Sequence, residues 1–301
     1  HFPHPMKSNI TGKTQLISLL GSPISHSKSP SMQNGVFEAM ELDYVYVAFD
    51  VGLNNLEAAV QGLRAMNFRG SNVTMPLKKE ICKYLDKLTP AAKLAGAVNV
   101  VVNDSGVLTG HITDGEGYMM SLQDAGVEYI GKKMTIVGAG GASTAVAIQA
   151  AMEGVRTISI FNYKDAFYAN GEETAASLEK RFGCQARMFD LADMDTLRKE
   201  LADSDIFING TPVGMEETLG QSVIPDASYF HPHLVVTDLI YVPVETKLLK
   251  MAKAAGNKTV SGLGMQLFQA VSAFKMWTGH DMPIDIAREI LFGKTATHQG
   301  K

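Results

Sequence analysis

The stretch MTIVGAGGASTAVAIQAAMEG, residues 134–154, decides the fold class of this 301-residue chain. Its first residues are apolar and predict a strand, VGAGGAS predicts a tight glycine turn, and the alanine-rich remainder predicts a helix. TISIFN at 157–162 predicts the next strand. A strand that leads through a helix to a second strand is a βαβ unit, so this part of the chain is expected to form a parallel sheet covered by helices.

The same alternation of short β-rich runs and amphipathic helical runs extends through the rest of the chain. Upstream of the glycine turn, the predicted strands are 16–21, 44–51, 71–75 and 97–102, and the predicted helices are 30–40, 53–66 and 77–86. Downstream, further βα units end in a predicted helix at 244–254, and two final helices follow with no strand after them. The predicted fold class is therefore α/β with largely parallel sheets.

The length of the chain exceeds that of one ordinary core and favours two domains. We place a Rossmann-type dinucleotide-binding domain at 119–256, because its run of βα units is long enough to fold by itself. An N-terminal α/β substrate domain occupies 1–118. The closing helices within 257–301 lack a sheet of their own and are expected to return to this first domain.

Composition and charge are those of an ordinary soluble globular protein, with 46% hydrophobic and 19% charged residues. A net charge of −4 argues against a nucleic-acid partner, and the longest apolar runs are too short to span a bilayer. No signal peptide is expected, and whether residues 1–5 are native stays open because Met6 can serve as the start. Cys82 and Cys184 match no paired or metal-binding spacing, which predicts free thiols, no metal site and a cytoplasmic location.

The turn VGAGGAS, residues 137–143, suits the phosphates of a dinucleotide because it follows a strand and opens a helix. Gly138 allows the sharp turn, and Gly140 lets the backbone approach a pyrophosphate that the helix N-terminus attracts. Ser143 stands where the usual fingerprint has its third glycine. A tight strand-to-helix turn in a nucleotide-free domain is the alternative.

A second turn bears on which dinucleotide is bound. An acidic residue about 20 residues after the glycine turn usually binds the adenosine ribose, and here the chain reads Asn162-Tyr163-Lys164-Asp165. Asp165 can accept a hydrogen bond from the ribose and would repel a 2′-phosphate, whereas Lys164 would tolerate that phosphate. NAD is therefore predicted as the preferred cofactor, and NADP stays open as the alternative.

Two serines precede the first predicted helix and form a candidate anion site. Pro30 suits the first helical position, so Ser29 is the expected N-cap, and Ser27 points to the same side of an extended segment. Two hydroxyls beside a helix N-terminus can bind a carboxylate without an arginine. A helix cap without a ligand is the alternative.

Polar residues also follow the apolar strand runs of the first domain, at the strand ends where open α/β sheets bind ligands. They are Asn72, Thr74, Lys78, Asn99 and Asp114. Many donors and acceptors with one cation and one carboxylate suit a polyhydroxylated small molecule that carries a single charge. For Lys78 alone, a solvated surface charge is the alternative.

Seven motifs, taken together and in this order, resemble the shikimate dehydrogenase family, and more closely its quinate/shikimate dehydrogenase branch. They are SHSKSP, NVTMPLK, LTPAAKLAGAVN, the TDG at 113–115, VGAGGAS, NGTPVGM and GLGMQLFQ, and the resemblance runs from about residue 16 to 293. It implies a two-domain enzyme that reversibly oxidises the ring C3 hydroxyl of shikimate to 3-dehydroshikimate with a nicotinamide cofactor. Such an enzyme serves aromatic amino-acid biosynthesis or quinate use.

The resemblance also implies the site residues. Ser27 and Ser29 hold the substrate carboxylate, and the ring hydroxyls are surrounded by Thr74, Asn99, Asp114, Tyr241 and Gln269. Lys78 and Asp114 occupy the catalytic positions. Because the hydroxyl must lose its proton as hydride leaves, Lys78 is expected to accept that proton or to stabilise the alkoxide, and both roles stay open. The cofactor-binding positions are Gly138, Ala139, Gly140, Gly141, Ala142, Asn162, Lys164, Asp165, Leu239 and Gly262.

One departure from the family leaves the cofactor and the substrate open. Shikimate-specific, NADP-using members usually carry an arginine and a further basic residue after the asparagine of the second turn, where this chain has Tyr163, Lys164 and Asp165. The difference favours NAD and makes quinate a candidate second substrate. The branch also suggests a homodimer. The rival interpretation is a nucleotide-sensing regulatory module of the same fold without turnover, which would not need both Lys78 and Asp114.

Overall fold

The computed structural model describes residues 9–293 and divides them into two compact units. Of these residues, the first unit contains 9–89, 96–111 and 273–293, and the second contains 90–95 and 112–272. The question of whether residues 1–5 are native lies outside the described residues.

Strands and helices alternate along the chain, and the α/β prediction is confirmed. In chain order the strands are β1 (Gln15–Gly21), β2 (Tyr44–Asp50), β3 (Gly70–Val73), β4 (Lys87–Leu88), β5 (Val100–Asp104), β6 (Val107–His111), β7 (Lys133–Val137), β8 (Thr157–Asn162), β9 (Gln185–Asp190), β10 (Ile206–Asn209), β11 (Val235–Asp238) and β12 (Thr259–Val260). The α-helices are α1 (Ser29–Ala39), α2 (Leu56–Ala65), α3 (Pro90–Ala95), α4 (Asp114–Asp124), α5 (Gly141–Met152), α6 (Tyr168–Phe182), α7 (Met194–Ala202), α8 (Lys247–Ala254), α9 (Leu263–Thr278) and α10 (Ile284–Phe292). Among the described residues, no helix is long and apolar enough to cross a membrane.

The first unit contains a mixed six-stranded sheet with the order β2-β1-β3-β5-β6-β4. β1 runs parallel to β2 and β3, whereas β5 is antiparallel to β3 and β6. The sequence predicted largely parallel sheets, but this sheet is mixed because it contains a β5–β6 hairpin that the prediction missed. The turn residues of the hairpin, Ser105 and Gly106, both have positive φ, as two-residue hairpin turns of this kind require. The closing helix α10 packs on α1, where a Cβ at Gly35 would lie 2.7 Å from Ile290 Cδ1, so its predicted return to this unit is confirmed.

The predicted helix at 77–86 is wrong, because this segment contains only a 3-10 turn at Glu80–Tyr84. The carbonyl of Lys78 accepts a hydrogen bond from Val98 N at 2.9 Å. It therefore does not pair with the amide four residues further on, as an α-helix requires, and Cys82 N bonds to the carbonyl three residues back. A contact distant in sequence thus replaces the local pattern.

The second unit contains a parallel six-stranded sheet with the order β12-β11-β10-β7-β8-β9, the strand order of a Rossmann fold. Successive residues of β7 face opposite sides, because Ile136 packs in one buried cluster and Val137 in a second cluster with Phe161 and Phe207. The strand order reverses between β7 and β10. Open α/β sheets bind ligands at the carboxyl ends of such strands, which here are followed by Gly138 and Gly210.

The compact units begin and end at other residues than the predicted domains, whose boundaries were 118/119 and 256/257. Helix α4 packs closely on α5, since a Cβ at Gly115 would lie 2.5 Å from Ala145 O. The same helix packs on α9, since a Cβ at Gly117 would lie 2.7 Å from Gln269 N. Helix α4 and residues 263–272 of α9 therefore belong to the Rossmann unit over residues 112–272, whereas the last residues of α9 belong to the first unit. The assignment of substrate and cofactor roles to 1–118 plus 257–301 and to 119–256 stays a prediction.

Candidate functional site

The glycine turn after β7 needs glycine at its first position. Gly138 has a φ of +120°, and a Cβ there would lie 2.5 Å from Ser143 Oγ and 2.9 Å from the carbonyl carbon of Gly210. Gly140 is the N-cap of α5, and the helix begins at Gly141. The sequence-based interpretation of this turn is thus supported by a conformation that only glycine adopts without strain.

Ser143 explains how the turn tolerates the loss of the third fingerprint glycine. Its side chain is buried, and its hydroxyl donates a hydrogen bond to Gly210 O at 2.9 Å. The start of α5 is thereby tied to the end of β10, the neighbouring strand at the point where the strand order reverses. The hydroxyl takes over the close helix–strand packing that the glycine usually permits.

The N-terminus of α5 fits the phosphates of a dinucleotide. A Cβ at Gly140 or Gly141 would meet nothing within 4 Å among the described residues, so the outer side of the turn is open to a ligand. The first turn of α5 contains no acidic residue, and no side chain of residues 9–293 caps it. Its amide groups therefore keep their donors for an anion, which the helix dipole also favours.

Helix α6 holds this turn from the other side, a contact that sequence reasoning missed. Asn170 Nδ2 donates to Ala139 O at 3.0 Å and lies 3.2 Å from Thr144 Oγ1. Gly171 packs closely on Ala139, since its Cβ would lie 3.2 Å from Ala139 Cβ. An asparagine inside a helix carries no local signal for such a role, because its partners lie about 30 residues earlier in the chain.

The turn after β8 is built around Asp165, whose carboxylate is exposed. Its Oδ1 accepts hydrogen bonds from Asn162 Nδ2 at 2.9 Å and from Phe167 N at 2.8 Å. Lys164 lies beside Tyr168, with its Nζ 5.7 Å from the ring centroid. Asp165 therefore shapes the turn as well as charging it, and within residues 9–293 these two bonds engage only Oδ1, which leaves Oδ2 for a ligand hydroxyl.

The remaining predicted cofactor positions of the second unit, Leu239 and Gly262, are brought together at the end of β11. Leu239 N donates to Asn209 O at 3.1 Å, and Gly262 N donates to Ile240 O at 3.1 Å. A Cβ at Gly262 would lie 2.5 Å from Ile240 O, so only glycine allows this approach. Tyr241, a predicted substrate contact, follows directly with a partly exposed ring.

Two further predicted residues of the second unit lie on packed helices. Asp114 is the first residue of α4, and Gln269 lies on α9 with its Nε2 donating to Gln266 O at 3.2 Å. Gly117 of α4 is in close contact with the backbone at Gln269. Helix packing therefore fixes both Asp114 and Gln269 relative to the Rossmann sheet.

In the first unit, Ser27 and Ser29 are brought together after β1. The Ser27 hydroxyl accepts a hydrogen bond from Ser29 N at 3.2 Å. Helix α1 begins at Ser29 with Lys28 as the N-cap residue, so the prediction of Ser29 as the cap was one residue late. The two hydroxyls still lie at the N-terminus of an 11-residue helix, where an anion is favoured.

Tyr46 links this serine pair to the end of β3, and sequence reasoning missed it. Its buried hydroxyl donates to Asn72 Oδ1 at 2.7 Å, and the Ser29 side chain is close enough to lower the pKa of this hydroxyl. Asn72 Nδ2 in turn donates to Asn99 O at 3.1 Å. Burial raises the pKa of Tyr46 well above its ordinary value, and the Ser29 side chain offsets part of that rise. Tyr46 is therefore a neutral donor that connects three polar segments.

Thr74, Lys78 and Asn99 lie around the same end of β3. Thr74 N donates to Leu20 O at 2.9 Å, which places Thr74 beside the end of β1. Lys78 O accepts from Val98 N, and Asn99 follows directly, so the Lys78 and Asn99 backbones are neighbours. The six predicted residues of this unit, Asn72 included, therefore share one sheet edge, at the carboxyl ends of β1 and β3. Together they offer hydroxyl, amide and ammonium groups to a ligand.

These two sets of groups define a class: a dinucleotide-dependent α/β enzyme whose ligand is small and polar. No group of three or more His, Cys, Asp or Glu side chains is arranged to hold a metal ion within the described part of the chain.

The family model of the shikimate dehydrogenase substrate binding domain matches residues 19–101, and that of the shikimate 5′-dehydrogenase C-terminal domain matches residues 262–292. The chain belongs to the shikimate dehydrogenase family.

Full-length relatives support this assignment. A shikimate dehydrogenase (NADP(+)) of Listeria monocytogenes is 56% identical over 283 residues, which cover 94% of this chain and 97% of the relative. A quinate/shikimate dehydrogenase of Escherichia coli is 43% identical, with coverage of 94% and 98%. The crystal structure of shikimate 5-dehydrogenase from Listeria monocytogenes, in complex with shikimate and NAD, has a TM-score of 0.93 at 55% identity and covers 96% of this chain and 100% of that chain. The resemblance inferred from the motifs is confirmed.

Proposed function

We propose that this protein catalyses the reversible oxidation of the C3 hydroxyl of shikimate to 3-dehydroshikimate with a nicotinamide cofactor. One observation in the structure carries this proposal: the hydrogen bonds from Tyr46 to Asn72 and from Asn72 to Asn99, which lie near Ser29 and next to Lys78. Such an arrangement suits a ligand with one carboxylate and several hydroxyls. Family membership supports the same conclusion, as does the activity for which relatives such as the 56% identical protein are named.

The substrate carboxylate is assigned to Ser27 and Ser29, because both hydroxyls lie at the N-terminus of α1. The ring hydroxyls are assigned to Thr74, Asn99, Asp114, Tyr241 and Gln269. Tyr46 does not need to touch the substrate for this assignment, since its hydroxyl orients Asn72. A hydroxylated ring would replace water at groups that are already held in place.

Lys78 and Asp114 are assigned to the proton transfer. The C3 hydroxyl loses its proton as hydride leaves, so a nearby group has to accept this proton or stabilise the alkoxide. The Lys78 amine is suited to either role, and the Asp114 carboxylate accepts a hydrogen bond from a ring hydroxyl or from an ammonium group. The bound nicotinamide ring supplies the hydride acceptor.

NAD is proposed as the preferred cofactor, with weaker use of NADP. The first turn of α5 would hold the pyrophosphate through Gly140, Gly141 and Ala142. Asp165 offers Oδ2 to a ribose hydroxyl and repels a 2′-phosphate, while the neighbouring Lys164 is a single point charge without the fork of an arginine. The 56% identical relative is named as an NADP(+) enzyme, whereas the Listeria crystal structure contains NAD, so the relatives do not indicate one cofactor. The preference for NAD is therefore proposed from the 162–165 turn alone.

Quinate is proposed as a second substrate, because the 43% identical relative from Escherichia coli is named for both compounds. A homodimeric state and a cytoplasmic location are proposed as well, the second from two free thiols, Cys82 and Cys184. Light scattering and localisation of a tagged protein would test these two points.

The function is tested by steady-state kinetics with purified protein, shikimate or quinate, and NAD or NADP, followed at the absorbance of reduced nicotinamide. We expect turnover of shikimate with both cofactors and a higher kcat/KM with NAD. Tight cofactor binding without turnover of either substrate would instead indicate the nucleotide-sensing module. A strong preference for NADP would contradict the interpretation of the 162–165 turn while leaving the activity itself intact.

A further inference from the structure

A buried carboxylate stands at the end of β11, outside every role assigned above. Asp238 is only 1% exposed. Its Oδ1 accepts hydrogen bonds from Asn209 Nδ2 at 3.1 Å and from Ile240 N at 3.0 Å, and its Oδ2 accepts one from Thr246 Oγ1 at 2.8 Å. Burial raises the pKa of Asp238 to about 7, and these hydrogen bonds offset only part of the rise. Such a group destabilises the fold when ionised unless its contacts compensate.

The partners of Asp238 belong to three different segments of the second unit. Asn209 ends β10 and also accepts from Thr211 N at 3.1 Å, so it orders the segment that follows this strand. Thr246 is the N-cap of α8 and accepts from Leu249 N. Ile240 lies in the connection between β11 and α8. One carboxylate therefore joins three chain segments at the carboxyl edge of the sheet.

Ile240 is held on both sides of its peptide backbone. Its N–H donates to Asp238 Oδ1, and its carbonyl accepts from Gly262 N at 3.1 Å. The next residue is Tyr241, which is 39% exposed and lies outside the buried network. The two bonds at Ile240 therefore restrain the backbone from which the Tyr241 side chain extends.

We propose that Asp238 is a positioning residue that orients Tyr241 toward the substrate by fixing the backbone of Ile240. The proposal rests on the proposed function, because it takes Tyr241 as a contact of the substrate ring. Asp238 itself is too buried to reach a ligand and acts only through its neighbour. The cofactor side should be affected less: the Leu239 amide also interacts with the Asp238 carboxylate, but its hydrogen bond to Asn209 O at 3.1 Å remains when the carboxylate is removed.

The hydrogen-bond pattern predicts which substitutions matter. In Asp238→Asn, the amide oxygen still accepts from Asn209 and Ile240, and the new NH₂ group donates to Thr246 Oγ1. In Asp238→Ala, the donors of Asn209, Ile240 and Thr246 all lose their acceptor. The asparagine variant should therefore keep Tyr241 in place, whereas the alanine variant should release it.

The test is a double-mutant cycle on kcat/KM for shikimate, with Asp238→Ala, Tyr241→Phe and the double variant. We expect Asp238→Ala to raise the KM for shikimate about ten-fold or more, while Kd for the cofactor, measured by fluorescence, changes less than about three-fold. Tyr241→Phe should then cost much less in the Asp238→Ala background than in the wild type. Asp238→Asn should restore KM to within about three-fold of the wild-type value.

Thr135→Val serves as the control, because it breaks a buried hydroxyl contact with Ser204 in the same unit and should show additive effects with Tyr241→Phe. Additive penalties for Asp238→Ala and Tyr241→Phe, or an unchanged KM in Asp238→Ala, would overturn the positioning role alone. If circular dichroism shows that Asp238→Ala does not fold, Thr246→Val takes its place in the cycle, because this substitution removes one of the three contacts of Asp238. The same outcomes then support or overturn the proposal. A wild type without turnover would overturn the proposed function first, and the positioning role with it.

Discussion

The substitution Asp165→Asn separates the charge of the second turn from its structure. The Oδ1 atom of Asp165 accepts from Asn162 Nδ2 and Phe167 N, and an asparagine keeps this acceptor while it loses the negative charge. Asp165→Ser would remove both the charge and part of the turn, so a change in cofactor preference would have two causes. The asparagine variant therefore tests the electrostatic part of the NAD preference.

The expected magnitude follows from the exposure of the carboxylate. Two unit charges about 4 Å apart in water interact by about 1 kcal/mol, and a 2′-phosphate carries up to about two charges. Removing the charge at Asp165, which is exposed, should thus improve NADP relative to NAD by about 1–2 kcal/mol, or roughly 5- to 30-fold in the ratio of kcat/KM values. Because salt screens exposed charges, the wild-type preference should also weaken as ionic strength rises.

The assay is the ratio of kcat/KM for NADP and NAD with saturating shikimate, at low and at high salt. Glu128→Gln is the matched control, since it removes an exposed carboxylate just before β7, at the amino end of the sheet, and should leave the ratio unchanged. An unaltered ratio in Asp165→Asn would refute the electrostatic explanation. A ratio that changes equally in Glu128→Gln would assign the effect to overall charge instead.

Three further predictions concern single residues. Lys78→Ala should lower kcat for shikimate about 10²–10⁴-fold with a smaller change in KM, whereas Lys79→Ala, at an exposed neighbour, should leave kcat unchanged. Equal kinetics of the two variants would show that Lys78 has no catalytic role. Tyr46→Phe leaves Asn72 Oδ1 without its donor, which should cost about 1–3 kcal/mol of binding free energy and so raise the KM for shikimate roughly 5- to 150-fold. A KM equal to that of the wild type would show that shikimate binding does not need the hydrogen bond from Tyr46 to Asn72. The pKa of Asp238 is about 7 in the folded protein against an ordinary value of 3.8, so protonation favours the folded state, and the free energy of unfolding falls as pH rises from about 4 to 7 and levels off above. In urea unfolding, the wild type should lose roughly 4 kcal/mol across this window relative to Asp238→Asn, and a difference that does not depend on pH would contradict the titration of Asp238 in the folded protein.

Local sequence patterns predicted the parts of the fold that depend on neighbouring residues. The glycine turn at 137–143 was recognisable because strand, turn and helix follow each other directly, and only a glycine adopts the φ of Gly138 with so little space. The α/β alternation and the strand ends were readable for the same reason. Residues that a strand delivers to the sheet edge, such as Thr74, were consequently placed correctly within their unit.

Contacts between distant residues could not be predicted. Tyr46 lies on β2 and Asn72 on β3, and β1 separates these strands in the sheet, so nothing in the sequence pairs them. The helix predicted at 77–86 failed because the carbonyl of Lys78 bonds to Val98 N, 20 positions further along. The role of the Asp238 carboxylate could not be predicted either, because its partners Asn209 and Thr246 lie on both sides of it in the sequence.

The most direct test of the proposed reaction follows the hydrogen at C3 of shikimate. Shikimate with deuterium at C3 is incubated with the purified protein and oxidised cofactor, and the reduced cofactor is analysed by mass spectrometry. We expect one deuterium in each reduced nicotinamide, the formation of 3-dehydroshikimate, and a rate of formation of both products that falls about 10²–10⁴-fold in Lys78→Ala. Reduced cofactor without the label would contradict hydride transfer from C3, and the absence of any reduced cofactor would contradict the enzymatic function itself.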